Sequence, residues 1–190
     1  ASYNHNHCNG MAVELYGMGE VMGIDAGAGA TYEHPLHVNY YSQWAAHNTV
    51  VAAGSSSSVP FSGSAGHKNI GQIEAAAMEP MADDPAVSPL VSFTDTRYSD
   101  KSTKTDQSRT LAIVRLSDTS GYYVDIYRSD NPVSNDYVYH NIGDSVFFLN
   151  EKRENVASVK SEYPLTGKDY PGFRFFTDVR KITGYTGNIT

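Results

Sequence analysis

Two histidines stand one residue apart near the start of the sequence, in "YNHNHCNG" at residues 3–10. In an extended strand, alternate side chains leave the same face, so His5 and His7 would project together. Imidazoles bind metals and also transfer protons near neutral pH. Histidine pairs are equally ordinary on the exposed face of a sheet, so the pair alone does not distinguish a site from a solvated surface.

Two further residues extend this pair into a candidate metal site. Asp25 ends a short apolar run beside the small-residue stretch "AGAGA", and His47 opens the strand-like stretch "HNTVV". Two imidazoles and a carboxylate are an ordinary set of zinc ligands, with the fourth position open or filled by water. His7, Asp25 and His47 are therefore the predicted metal ligands. The alternative is that Asp25 is a turn residue and His47 is a hydrogen-bonded strand residue.

The elements that would position these residues are short strands. Residues 11–16 and 21–25 are apolar runs separated by "GMGE", a connection typical of a β-hairpin. Later, "TLAIVRLSD" and "YYVDIYRSD" both alternate in character and both end in Ser-Asp, which indicates neighbouring strands. The pattern predicts an all-β, antiparallel β-sandwich. We expect a single domain over residues 1–190, less regular from about residue 151.

Composition narrows the classes of function. The chain has 190 residues, a formal charge of −7 and 14 tyrosines. The negative charge argues against nucleic acid as a partner, because phosphate backbones require a basic surface. The single cysteine, Cys8, excludes an internal disulfide and is expected to be a small buried residue. No stretch approaches the roughly 20 apolar residues that a membrane helix needs.

The stretch "YNHNHCNGMAVELYGMGEVMGIDAGAG", followed by "YYSQWAAHNTVV", resembles the start of a known β-sandwich domain. This domain belongs to the heparinase II/III-like polysaccharide lyases, a superfamily that includes oligoalginate lyases. The shared pattern is an H-x-H strand, an apolar hairpin, an aspartate in a D-x-G context and a tyrosine-rich stretch ending in H-N-T. The resemblance is close over roughly residues 1–55. Beyond residue 55 the resemblance consists only of a run of strands typical of a β-sandwich of the supersandwich type.

The resemblance assigns roles to these residues. It implies that His7, Asp25 and His47 bind a structural zinc ion and that His5 is a catalytic residue beside the sugar. Family members cleave uronic-acid-containing polysaccharides by β-elimination, which implies a glycosaminoglycan-type or alginate-type acidic polysaccharide as substrate and partner. Their other catalytic residues come largely from an N-terminal helical (α/α) toroid. We expect this chain to be a fragment without that toroid, inactive alone, from a periplasmic or secreted bacterial protein.

Further residues are candidates for sugar binding. Tyr40 and Tyr41 are predicted to form a stacking platform for pyranose rings, with core packing as the alternative. His140 is predicted to line the cleft, with a solvated loop position as the alternative. His34 and His37 lie between two predicted zinc ligands and are alternative ligands.

Two other classes of protein compete with the lyase interpretation. His7 followed by Glu14 on a glycine-rich β chain is similar to a cupin, although the spacing is wider than in cupins and a second cupin motif is missing. A non-catalytic carbohydrate-binding or structural sandwich is the other alternative. It predicts that no metal copurifies with the protein, whereas loss of a structural zinc ion would destabilise the fold.

Overall fold

The computed structural model describes residues 7–27, 29, 31–52, 71–77, 88–100, 103–133, 135–161 and 172–186. The regular structure of these residues is almost entirely β, and the strand pairs are antiparallel. The predicted all-β, antiparallel class is confirmed, and the arrangement is consistent with a β-sandwich. His5 lies outside the described residues. Among the helices described, none is long and apolar enough to cross a membrane.

Short strands dominate the described residues. The strands are β1 (Leu15–Gly17), β2 (Glu20–Gly23), β3 (Val50–Ala52), β4 (Gln72–Ala77), β5 (Val91–Asp100), β6 (Thr105–Ser117), β7 (Ser120–Ser129), β8 (Asn135–Tyr137), β9 (Ser158–Lys160) and β10 (Arg180–Ile182). A π-helical turn covers His37–Tyr41, and 3₁₀ turns cover Trp44–Ala46 and Phe173–Phe175. The strands form a four-stranded sheet in the order β4-β5-β6-β7 and the pairs β1-β2, β3-β8 and β9-β10.

The β1-β2 pair is the predicted hairpin, with a shorter connection than expected. Gly17 pairs with Glu20, so Met18 and Gly19 alone form the turn. Their φ angles are 56° and 83°, as in the turns with two left-handed central residues that match the twist of a hairpin. Glycine adopts this conformation without steric penalty. The hairpin delivers Asp25 two residues after the end of β2.

The β6-β7 pair confirms that "TLAIVRLSD" and "YYVDIYRSD" are neighbouring strands. Because side chains alternate along a strand, the register assigns each residue of the four-stranded sheet to one of two faces. The core-facing side carries Tyr98, Gln107, Arg109 and Tyr127. The opposite side carries Arg97, Ser108 and Arg128.

The core packs the sheet against the segments that carry the candidate site. Its buried apolar residues are Cys8, Trp44, Ala45, Val51, Tyr98, Val138 and Phe173. Cys8 is fully buried, as predicted. His7, however, lies in an irregular segment before β1 and not in a strand, since the Cys8 N–H donates to the Ser42 carbonyl and not to a paired strand. The H-x-H strand prediction is therefore wrong at His7.

The guanidinium of Arg109 joins the sheet to these segments. It is 2% exposed, and its Nε and Nη2 atoms donate to the Asp125 carboxylate over 2.9 and 2.6 Å. Nη1 donates to the carbonyls of Met11 and Asn48 over 2.6 and 2.7 Å. The Tyr137 hydroxyl donates to Asp125 over 2.5 Å. Burial, together with that hydrogen bond and the Asp125 charge, raises the pKa of Tyr137 to about 12.

We expect Arg109→Ala to destabilise the fold by about 3–5 kcal/mol, because it leaves the Asp125 charge and two backbone carbonyls without their donor. Urea-induced unfolding measures this loss. Arg128→Ala is the matched control: it removes an exposed arginine from the adjacent strand and should change stability by less than about 0.5 kcal/mol. Equal effects of the two substitutions would contradict this role of Arg109.

Candidate active site

The structure brings together two of the three predicted zinc ligands by direct contact. The Nδ1 atom of His47 lies 2.6 Å from Oδ2 of Asp25. The side chain of His47 is 1% exposed and that of Asp25 is 29% exposed. The other Asp25 oxygen, Oδ1, accepts the N–H of Gly27 over 2.9 Å. Asp25 is thus both a turn residue and a partner of His47.

Asp25 is ionised at neutral pH. Burial raises the pKa of its carboxyl, but the hydrogen bond and charge of His47, with smaller help from Gly27 and His7, outweigh burial and hold the pKa below 3.8. Because an ionised carboxylate only accepts hydrogen bonds, Nδ1 of His47 is the donor. In the neutral ring, Nε2 then carries a lone pair. This buried atom has no hydrogen-bond partner among the described residues.

Two more imidazoles surround His47. The ring centre of His7 lies 5.4 Å from that of His47 and 5.2 Å from that of His37. His37 is fully buried in the π-helical turn, and Tyr32 packs edge-on against it with ring centres 5.0 Å apart. His34, the other alternative ligand, is exposed, and its Nδ1 accepts the N–H of Leu36. The structure therefore adds His37 to the cluster and leaves His34 outside it.

The spacing of the imidazole rings is compatible with a zinc ion. Ring centres of two imidazoles on one tetrahedral ion lie about 5 Å apart, because each ligating nitrogen is about 2 Å from the metal. The distances around His7 meet this value. Two ligand atoms on one ion lie about 3.3 Å apart, so the contact between Asp25 and His47 is a hydrogen bond that would lengthen by about 0.7 Å on binding.

As the side chains stand, no group of three or more His, Cys, Asp or Glu residues in the described part of the chain has metal-site geometry. Zinc at His7, Asp25 and His47 therefore stays a prediction. The buried Nε2 of His47, which has no hydrogen-bond partner among the described residues, offers a second way to hold a metal. Zinc at Nε2 would leave Asp25 hydrogen-bonded to Nδ1, where it would orient the ring and would not be a ligand.

Asn48, which sequence reasoning did not single out, holds the cluster in place. Its side chain is fully buried, and its Nδ2 donates to the carbonyls of Val13 and Ile24, each over 3.1 Å. Its Oδ1 accepts the N–H of His140 over 2.5 Å. These bonds connect the segments before β1, after β2 and after β8. The "HNT" motif could have pointed to Asn48, because the motif places a buried amide beside a candidate ligand.

His140 lies beside the cluster and is held by hydrogen bonds. Its Nε2 lies 2.9 Å from the Ala45 carbonyl, so this nitrogen carries the proton and Nδ1 is left as an acceptor. Burial lowers the pKa of His140, against the raising effect of the Ala45 bond. His140 also lines a cleft of about 380 Å³ with Asp136 and Phe176. Its predicted role in sugar binding stays a prediction.

The two tyrosines predicted as a stacking platform are partly engaged in packing. Tyr40 lies edge-on to Tyr41, with ring centres 5.4 Å apart, and 5.5 Å from Phe175. Tyr41 packs over Gly29, where a Cβ atom would lie 2.7 Å from the ring and φ is +75°. Glycine alone fits there. Both tyrosines remain half-buried, and their role in sugar binding is untested.

Comparison with known proteins finds a matching family and a relative of this chain. The family described as heparinase II/III-like, C-terminal, matches residues 2–118. The chain is 32% identical over 192 residues to an endo-acting ulvan lyase of Formosa agariphila, across 95% of this chain and 24% of that protein. The chain thus spans about a quarter of the length of this relative. No solved structure matches the chain.

We expect Asn48→Asp to destabilise the fold on the order of 3 kcal/mol, because a carboxylate loses two donated hydrogen bonds and repels the Val13 and Ile24 carbonyls. Asn141→Asp is the isosteric control: this exposed side chain only accepts the Ile142 N–H, a bond that a carboxylate keeps. Thermal unfolding of both variants measures the difference. Unchanged stability of the Asn48 variant would refute its structural role.

Proposed function

The chain belongs to the heparinase II/III-like family, because residues 2–118 match the C-terminal domain of that family. We propose that it is part of a lyase that cleaves acidic, uronic-acid-containing polysaccharide by β-elimination. The observation that carries the proposal is the partly buried contact of 2.6 Å between His47 and Asp25, with His7 beside it. The relative is an ulvan lyase, so ulvan is the first substrate to test. Glycosaminoglycan and alginate are the next.

The reaction needs three positioned groups. A base removes the C5 proton of the uronate, the C4–C5 double bond forms, and the C4–O bond breaks as an acid protonates the leaving oxygen. The uronate carboxylate must also be neutralised as negative charge develops at C5. Histidine and tyrosine suit the acid and base roles, because their environments tune their pKa values. We assign one of these two roles to His5.

His140 is proposed to contact the sugar. Its lowered pKa keeps the ring neutral at pH 7, and a neutral ring with Nε2 donating to Ala45 presents Nδ1 as an acceptor for a sugar hydroxyl. Tyr40 and Tyr41 are proposed to contact the sugar beside His140, since the Phe176 ring lies 6.4 Å from that of Tyr40 and 6.1 Å from that of His140. The carboxylate-neutralising group is expected outside the described residues, because Arg109, which binds the carbonyl of Asn48 beside His47, is already engaged by Asp125.

Zinc is proposed as a structural clamp held by His7, Asp25 and His47. When bound, zinc supplies a fixed tetrahedral arrangement of ligands. His5 stands two residues before His7, so holding His7 restricts where His5 can lie. Asp25 and His47 belong to segments that Asn48 already holds together, which gives the clamp a rigid base. All proton transfers are assigned to side chains.

We expect the purified protein to contain about one zinc ion per chain and His47→Gln to contain none. Elemental mass spectrometry measures the content, and thermal unfolding should show a lower melting temperature for both the variant and a chelator-treated sample. The matched control is His34→Gln, because His34 is an exposed histidine outside the cluster. Wild-type protein without zinc after metal reconstitution would refute the metal site and favour the non-catalytic sandwich.

We expect the full-length protein to release unsaturated uronate ends from ulvan, which are detected by their ultraviolet absorbance. His5→Ala should lower kcat by at least about 100-fold, because the elimination loses an acid or base, while zinc content stays unchanged. Heparin and alginate tested in parallel define the substrate class. If all three polymers remain intact under conditions where the protein is folded and loaded with zinc, the lyase proposal is wrong.

A further inference from the structure

The cleft that His140 lines also contains a carboxylate at the edge of the core. Asp136 of β8 is part of the lining of this cleft of about 380 Å³. In the register, Asp136 is directly opposite Val51 of β3. Directly opposite residues share a face of a strand pair, and Val51 belongs to the buried core. Asp136 therefore occupies a position where the pattern of the strand pair favours an apolar residue.

The surroundings of Asp136 do not compensate its charge. The residue is half-buried, and its carboxylate makes no hydrogen bond or ion pair in the part of the chain that the structure describes. Burial alone raises the pKa of this carboxyl. By contrast, Asp25 and Asp125 each have an imidazole or guanidinium partner. A partly desolvated carboxylate without hydrogen bonds destabilises a fold, and such departures are typical of sites that bind a ligand.

The rest of the lining indicates which ligand would supply those hydrogen bonds. Phe173 and Phe176 contribute aromatic rings, and Asn135 contributes an amide. Among the described residues the lining includes no lysine or arginine, and Arg174 of the nearby 3₁₀ turn stacks on the Phe175 ring. An anionic group would therefore meet an uncompensated negative charge. A sugar ring fits this lining, because its C–H face packs on aromatic rings and its hydroxyls donate to a carboxylate.

The position of Asp136 along the chain relates this cleft to the sugar proposed to lie at His140. The two residues are four positions apart, so their Cα atoms are at most about 14 Å apart. Both line the same cleft. Neighbouring rings of one polysaccharide chain can therefore contact both residues at once.

We propose that Asp136 binds hydroxyl groups of the sugar next to the one at His140 and disfavours a carboxylate on that ring. This inference rests on the proposed function and narrows its substrate class. In alginate every ring carries a carboxylate, whereas in ulvan and the glycosaminoglycans a uronate alternates with a sugar that carries none. Because like charges repel strongly where water is partly excluded, Asp136 favours the alternating polymers over a polyuronate.

The test is native affinity electrophoresis of the full-length protein in gels that contain ulvan or alginate, in a His5→Ala background that prevents consumption of the polymer. We expect Asp136→Asn to weaken ulvan binding about tenfold, because a neutral amide accepts weaker hydrogen bonds than a carboxylate. The same variant should bind alginate more tightly, because the repulsion is removed. The matched control is Asp118→Asn, which removes an exposed carboxylate at the β6-β7 turn and should leave the preference for ulvan unchanged.

Thermal unfolding separates a binding role from a structural one. The melting temperature of Asp136→Asn should be equal to or above that of the parent protein, because the variant removes a charge that the fold does not compensate. A lower melting temperature would show that the carboxylate has a structural partner and would overturn the proposal.

The binding results are equally decisive. Unchanged ulvan binding by Asp136→Asn, the same response in Asp118→Asn, or a parent protein that binds alginate as tightly as ulvan would each overturn the proposal. Cleavage is measured separately on the protein that retains His5. Ulvan that is bound with the expected dependence on Asp136 but not cleaved would refute the lyase proposal and support this binding position, so the two failures are distinguishable.

Discussion

The buried guanidinium of Arg109 is the interaction on which the described structure depends. A charge with 2% exposure is tolerable only when it is paired and its donors are used. Arg109 meets this condition with Asp125 on the neighbouring strand and with two backbone carbonyls from outside the sheet. The planar fork of arginine offers donors in fixed directions. Arg109 therefore ties the sheet to the irregular segments, alongside the packing of Tyr98 against Trp44 in the core.

The position of the histidine cluster depends on the bonds that Arg109 makes outside the sheet. Arg109 binds the carbonyl of Asn48, and the side chain of Asn48 binds the backbone beside β1, β2 and β8. His47 is the preceding residue, so its ring is directed by a segment that is held on both sides. Irregular backbone needs such partners, because it lacks the repeating hydrogen bonds of strands and helices. The polar network replaces regular structure as the support of the cluster.

The four-stranded sheet separates two kinds of charged side chain. The formal charge of −7 disfavours nucleic acid as a partner of the chain. Alternation of side chains separates the two kinds of arginine, since Arg109 faces the core while Arg97 and Arg128 face outward. One sheet thus supports the cluster on one side and carries exposed charged side chains of both signs on the other.

The sequence by itself determined the all-β class, the β1-β2 hairpin and the pairing of β6 with β7, because turn residues and alternating side chains encode these features locally. The motif also brought Asp25 and His47 together correctly, while zinc binding stays a prediction. Only the tertiary structure decided the irregular position of His7, the inclusion of His37 and the roles of Asn48 and Arg109. The bond from Arg109 to Met11 spans 98 positions. Its acceptor is a backbone carbonyl, a group that every residue carries, so no local sequence pattern specifies which carbonyl the folded chain presents.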